Sequence, residues 1–419
     1  MAQGARRRFT QAELDAVLDG HERFLQGRAG GQRLTHRFAD LSGLQFAGRR
    51  LSEADFTGCN LAGARFTRAD LTRASLFGCD LSTADLRGAI LCRADLRGVV
   101  LRGANLAFAD LSGADFRQGK IVVPHPKLGL ETLRSENRSA DLADANFSGA
   151  TLDGSQLSGT TACNADFTDC SLRGAKLANA NLKDANLSGA NLEGAQVAGA
   201  NLEGANLSGA VLTGVDTRGA KLSRADLTNV LRDLPGDPKI QLLRLLQRVQ
   251  SSAVWWRSEG ATGALASFDG EDMRLLKGEL KGARLAALSA KGACLVGMDL
   301  SGAFLQGANF EGADLRNVNL RGADLRAARF TGANLTKADL REVVATALPL
   351  GQGRTAPAQF ARTRMRYAML QGADVSGAIF EESDLAGADF TGAKLAGARW
   401  RQAQLFAVIG LDFSRGQAA

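Results

Sequence analysis

Three histidines and six cysteines are the side chains in this sequence with the readiest chemistry, and their spacing gives them none to perform together. The cysteines stand at 59, 79, 92, 163, 170 and 294, and the histidines are His21, His36 and His125. No CxxC pair occurs and no Cys/His cluster has zinc-ligand spacing, so neither a metal nor a cofactor is expected. The 44 Asp and Glu recur at regular surface intervals instead of converging in pairs, so general acid–base chemistry is not expected of them. Anion binding is the remaining chemistry, suggested by a net charge of +7, a sequence pI near 9.3 and the run Arg6, Arg7, Arg8. Readers of nucleic acid combine a basic stripe with stacking aromatics. Here basic residues alternate with Asp, which argues against a nucleic-acid partner.

The elements that carry these residues follow from a period of five. From Leu41 to Ile121 every fifth residue is Leu, Phe or Ile, giving 17 consecutive centres. A second block runs from Leu142 to Leu227, weak only at Ala162 and Thr217. A third runs from Leu275 to Leu340, weak at Ala290, and a fourth from Leu370 to Leu405. Two positions before most centres sits a small residue, as at Ala54, Ala64 and Ala94. Five fits neither the 3.6-residue helix nor the two-residue strand. It suits a chain that turns a corner every five residues, with the centre and the small residue inward and the other three facing water.

The unit A-(D/N)-L-x-G, seen in Ala185-Asn186-Leu187-Ser188-Gly189 and Ala205-Asn206-Leu207-Ser208-Gly209, closely resembles the pentapeptide-repeat proteins. The resemblance implies an all-β solenoid, a right-handed quadrilateral β-helix with four repeats, or twenty residues, per coil. On that geometry Phe46 should stack on Phe66, Phe310 on Phe330, and Phe380 on Trp400. Cys59 and Cys79 become inward neighbours on adjacent coils, read as buried thiols in a reducing compartment. Asn181 and Asn201 become rungs of a polar ladder.

All six prolines, at 124, 126, 235, 238, 349 and 357, fall between the blocks, as expected where each wall's N–H groups are hydrogen-bonded. Residues 1–38 read as an N-terminal helical cap. Thr10 and Glu13 form a capping box, and Leu14, Val17, Leu18, His21 and Leu25 form an apolar stripe. His21 on that stripe is expected to be packed, not catalytic. Residues 39–230 form the first β-helix, interrupted by a loop at 122–139. Residues 231–272 form a linker and second cap helix, with Asp237-Pro238 at its start and Leu242, Leu245, Leu246, Val249 and Ala253 as its stripe. Residues 273–410 form the second β-helix, interrupted at about 341–363, and 411–419 a tail. The plan is two tandem modules, each preceded by a capping helix.

An axis filled by Leu, Phe and Ala leaves no cleft for catalysis. Some bacterial effectors of the family carry an added enzymatic domain, and the non-repeat pieces here are too short to be one. The expectation is therefore a non-catalytic scaffold with an unidentified protein partner, not an enzyme. The family also contains members that imitate a DNA duplex at type II topoisomerases such as gyrase. That mimicry needs a strongly negative rod, whereas residues 140–230 carry only 10 Asp/Glu against 6 Lys/Arg. Partner-binding candidates are the individual residues outside the regular walls, namely Pro124, His125, Arg134 and Arg138 in one interruption and Arg362, Arg364, Arg366 and Tyr367 in the other. Trp255 and Trp256 join them at the second cap. The end of a solenoid is a further surface, through which two copies could pair as a homodimer. No apolar run could span a bilayer and no export signal follows Arg6–Arg8, so a cytoplasmic, membrane-free protein is expected.

Overall fold

The computed structural model describes residues 6–125, 129–234 and 236–411, and the side chains of 122–135 lie outside that description. The chain divides into two compact units, Met1–Asp233 and Leu234–Ala419. In both, the repeats stack as parallel bridges twenty residues apart. Asp40 pairs with Asn60, Gln45 with Arg65, Arg50 with Asp70 and Asp55 with Ser75, so four walls of each coil meet the next coil, and the series continues along the unit.

The repeat Ala84–Gly88 shows why these residue types recur, because all five of its N–H groups are accounted for. Ala84 donates across the corner to the Leu81 carbonyl at 3.0 Å. Asp85 donates down to Ala64 at 2.9 Å, while Leu86 and Gly88 donate up to Asn105 and Ala107 at 2.7 and 2.9 Å. The Arg87 N–H, which neither ladder nor corner takes, is accepted by the Asp85 carboxylate at 3.2 Å. Asp or Asn before the centre is thus the acceptor that completes the unit, and Asn does the same at Asn146, Asn191 and Asn334. The fifth residue turns the corner with positive φ, 63° at Gly88, a conformation that favours glycine.

The core is the coil axis. Leu and Phe centres from Leu41 to Phe116 are fully buried, together with the small residues before them. Phe46 stacks on Phe66 with ring centroids 4.4 Å apart and 10° between planes. In the second unit Phe310, Phe330, Phe360, Phe380 and Trp400 form one column, with successive spacings of 5.1, 5.0, 5.0 and 4.6 Å. That spacing is the separation of neighbouring strands, about 4.8 Å. Asn201 donates to the Asn181 side chain at 3.1 Å, as expected of a polar rung.

Several boundaries differ from the sequence reading. The first coil begins before residue 39: Arg8 bridges Asp40, Thr35 bridges Asp55, and Leu34 is buried in the axis. Ile121 is not an axial centre. It lies on β1 (Gly119–His125), which pairs antiparallel with β2 (Gly129–Arg138), and its side chain packs over the corners at Gly78 and Gly98. The second unit's coils open at Phe268, with Ser267 bridging Ser289. A short 3-10 turn, Arg274–Leu276, takes up two extra residues there, burying Leu276 where Leu275 was expected. The later interruption is shorter than 341–363. Ala345 and Phe360 are buried in the axis, and only a hairpin, β3 (Leu348–Gly351) with β4 (Arg354–Ala356), leaves the coil. Val344 therefore bridges Asp374, thirty residues on instead of twenty. The small centre Ala345 and the unbranched Met365 had hidden the unbroken phase.

Helix α1 (Gln11–Leu25) has the expected capping box, with Thr10 and Glu13 each accepting from the other's backbone. It buries Leu14, Leu18, Gly20 and His21, and His21 fastens it to the coil. Nδ1 accepts the Leu34 N–H at 3.1 Å, which leaves Nε2–H to donate to the Ser52 carbonyl at 3.1 Å. One neutral tautomer makes both bonds, and a second proton would break the first. Burial holds the His21 pKa below its ordinary 6.5, helped by Arg33 and opposed by the Ser52 bond, Glu22 and Glu53. The unfolded chain therefore takes up the proton first, and stability declines as pH falls below that value. The melting temperature is expected to drop between about pH 7.5 and about pH 5.5, and to drop less in His21→Gln. His36, also lowered by burial, contributes equally to both slopes, so identical slopes would show that His21 is not the latch.

Candidate functional site

Three of the six cysteines are engaged by the fold. Cys59, Cys79 and Cys170 donate through Sγ to the carbonyls of His36, Phe56 and Phe147 at 2.9, 2.9 and 2.7 Å. Burial pushes the Cys59 thiol up to about 11, far from the thiolate that a nucleophile or metal ligand requires. All six cysteines are free thiols. Among the described residues no group of three or more His, Cys, Asp or Glu could hold a metal ion, and no helix is long and apolar enough to cross a membrane.

Wall carboxylates are engaged as well. The Arg87 guanidinium grips the Asp85 carboxylate through Nε and Nη2 at 2.8 and 2.7 Å, and these bonds hold Asp85 below the usual carboxylate range. The same two-residue pairing joins Arg97 to Asp95, Arg117 to Asp115, Arg316 to Asp314, Arg326 to Asp324 and Arg341 to Asp339. The sequence motif D-L-R, written D-F-R at Asp115-Phe116-Arg117, carried this signal, since Arg two residues after the Asp returns to the same face of the wall.

The expected partner-binding residues are placed differently within each unit. Pro124, His125 and Arg134 lie on the first unit's hairpin, where Pro124 is opposite Leu133, His125 opposite Gly129 and Arg134 opposite Val123. Their side chains are outside the described residues. Arg138, at the hairpin's end, turns inward: Nε donates to Gly98 O and Nη2 to Gly78 O, both at 2.6 Å, and burial lowers its pKa. Its guanidinium staples the hairpin to two successive coils. In the second unit Arg362, Arg364, Arg366 and Tyr367 are not in a loop, because the coil has already resumed at Phe360. Arg364 bridges Asn334 and Asp384 on a wall, and Arg362 and Tyr367 occupy corners with φ of 56° and 60°. Arg366 donates to the Tyr367 hydroxyl at 3.0 Å and stands 3.8 Å from Asp384.

Helix α2 (Pro238–Arg257) is capped by Asp237, whose side chain accepts the Lys239 N–H at 2.9 Å. Leu242, Leu245, Leu246 and Val249 pack on the second unit's core. Near its end Trp255 and Trp256 meet edge to face, with centroids 4.9 Å apart and 84° between planes. Trp255 folds beneath the turn that follows, where Gly263, at φ 82°, comes so close that a Cβ would stand 2.4 Å from the Ser251 carbonyl oxygen. Gly31 approaches the α1 backbone in the same way, at 2.4 Å from Phe24 N. Each cap helix is thus pinned by a glycine. Trp256 and Arg257 remain outside that clamp and exposed.

Comparison with known protein families identifies the repeat. A model of pentapeptide repeats matches residues 39–78, 79–118, 140–177, 165–204, 190–229, 279–322, 308–344 and 383–408. No curated protein matches the chain significantly. Among solved structures, a pentapeptide repeat protein (Rfr23) from the cyanobacterium Cyanothece 51142 is 36% identical, over 32% of this chain and 90% of its own, with a TM-score of 0.27. HetL, a pentapeptide repeat protein involved in heterocyst differentiation regulation from the cyanobacterium Nostoc sp. strain PCC 7120, is 18% identical over 95% of this chain and 98% of its own, at TM-score 0.22. QnrB1, a plasmid-mediated fluoroquinolone resistance protein, is 23% identical over 51% of this chain and 87% of its own, at TM-score 0.25. These likenesses say nothing of what the chain binds. With the repeat model matching more than half of its residues, across the stretches whose Leu and Phe centres fill the coil axis, the chain belongs to the pentapeptide-repeat family.

Proposed function

We propose that this protein is a non-catalytic scaffold that binds another protein through the segments departing from its repeat. Its body is a right-handed, four-walled β-helix, and its place is the cytoplasm. The observation that carries the reading is the division of labour between axis and departures. Along the coils the axial side chains are buried, the ladder donors are taken, and wall carboxylates are held by an arginine, as at Asp85 and Asp314, or by a neighbouring hydroxyl, as at Asp166 and Asp226. A patch on a wall recurs every twenty residues and so discriminates poorly between partners. The hairpins and α2 break the pattern, and rigid scaffolds commonly present binding residues on such segments.

A DNA-imitating rod for a type II topoisomerase is less well supported. Copying a phosphate lattice requires unneutralised carboxylates along a face, and the pairs between Arg and Asp remove that charge where they occur. Inhibition of gyrase supercoiling by the purified protein would favour that alternative. The test of the scaffold reading is recovery of partners from the native host by the full chain and by two variants. One variant replaces residues 120–137 and the other residues 347–357 with Gly/Ser links. Folded variants are expected to lose partners selectively. If both keep every partner, and the α2 substitutions given below keep them too, binding does not reside in the departures.

A further inference from the structure

Among the described residues of the second unit, a groove brings apolar surface and positive charge together. It lies between the C-terminal half of α2 and a wall of the following coils, encloses about 300 Å³, and is lined by Val249, Ala253, Trp256, Arg257, Ala283 and Arg284. Val249, Ala253 and Ala283 make an apolar floor, and the Trp256 indole, 37% exposed, forms one side. The two guanidinium groups complete the lining, which contains no carboxylate. Arg284 also stands over Phe304, 5.9 Å from its centroid, and Phe304 is itself 47% exposed one coil further on. Among the described residues no ion pair involves Arg257 or Arg284, in contrast to the arginines of the D-L-R walls.

The chemistry of this lining selects its occupant. A volume of about 300 Å³ is at the small end for ligand sites and suits one or two side chains, not a nucleotide-sized cofactor. Indole and guanidinium are the groups most enriched where interfaces concentrate their energy. A guanidinium recognises a carboxylate through paired, directional hydrogen bonds. We propose that the groove docks an acidic peptide segment of a partner protein. A Phe or Leu side chain seats on Val249, Ala253 and Ala283 beside Trp256, and flanking Asp or Glu carboxylates pair with Arg257 and Arg284. This inference rests on the scaffold reading and adds the place and the chemistry of recognition.

The full chain can be titrated against three fluorescein-labelled peptides: one with Phe flanked by Glu and Asp, its Gln/Asn counterpart, and its Phe→Ala counterpart. The acidic aromatic peptide is expected to bind saturably. Affinity should fall about tenfold or more with Arg284→Glu, with Arg257→Glu and with either control peptide, the scale of a lost charge-assisted contact. Trp256→Ala should weaken binding comparably, and Arg218→Glu, at an exposed corner of the first unit's coils, should leave it unchanged. All four positions are exposed or half-exposed, so each variant is expected to fold, and matching melting curves would verify it. No saturable binding up to about 1 mM, equal binding of the Gln/Asn peptide, or indifference to Arg257→Glu and Arg284→Glu would overturn the proposal. The titration needs no natural partner, and the recovery experiment is read on the two hairpin variants as well as on α2, so selective loss of a partner by a hairpin variant upholds the scaffold reading even where the titration fails.

Discussion

Replacing Leu86 with Asp is expected to abolish folding of the first unit, whereas Arg87→Ser one residue away should be nearly silent. Leu86 is fully buried in the axis, and Phe66 and Leu106 occupy the same position one coil below and one above. A carboxylate there would find no donor. The N–H groups of Leu86, Arg87 and Gly88 are already committed to Asn105, Asp85 and Ala107. An unpartnered buried charge costs several kcal/mol, and loss of the leucine's packing adds roughly 2–5 kcal/mol. Together these approach the whole stability of a domain, about 5–15 kcal/mol. Arg87, by contrast, is half exposed and gives up one surface pair with Asp85, worth at most about 1 kcal/mol. Denaturant titration of the two variants checks the contrast. Similar losses at both positions would mean that the axis is not where the repeat's centres lie.

That contrast was legible in the sequence, because a period of five with alternating large and small residues has few folded solutions. The same phase foretold the stacking of Phe46 on Phe66 and of Phe380 on Trp400. What the sequence concealed had a physical cause in each instance. Asp before the centres looked like an ordinary surface residue, and Asn181 and Asn201 like ladder rungs alone, since the acceptor role depends on a backbone N–H that only the coil geometry leaves over. Arg362, Arg364, Arg366 and Tyr367 looked like loop residues because Ala345 and Met365 are weak centres, and the ten added residues preserved the phase. Arg138 looked available, yet the hairpin's return path carries its guanidinium onto Gly78 and Gly98. The groove beside Trp256 combines α2 with Ala283 and Arg284, more than two dozen residues along the chain, and no local pattern announces it.

Deleting residues 1–30 should be the second severe change, larger than removal of either hairpin. It strips away Phe9, Leu14 and Leu18, all buried against the first coil, and the bridge from Arg8 to Asp40. Re-exposing apolar side chains of this size costs about 1.5–3 kcal/mol each. It also uncovers a strand edge whose N–H and C=O groups can template pairing with another chain. The truncated protein is therefore expected to aggregate, or to melt far below the intact chain, whereas a Gly/Ser link in place of residues 347–357 should leave melting within a few degrees. A truncated chain that remained monomeric with unchanged melting would show that α1 is an ornament and not a cap.

The division between an inert body and binding departures is tested most directly by hydrogen exchange on the full chain, alone and saturated with a recovered protein partner. Added protection is expected in α2 from Val249 to Arg257, in the coil around Ala283 and Arg284, or in a hairpin, while the amides of residues 160–210 stay unchanged. Protection spread along those regular coils, with α2 and both hairpins unaffected, would contradict the account.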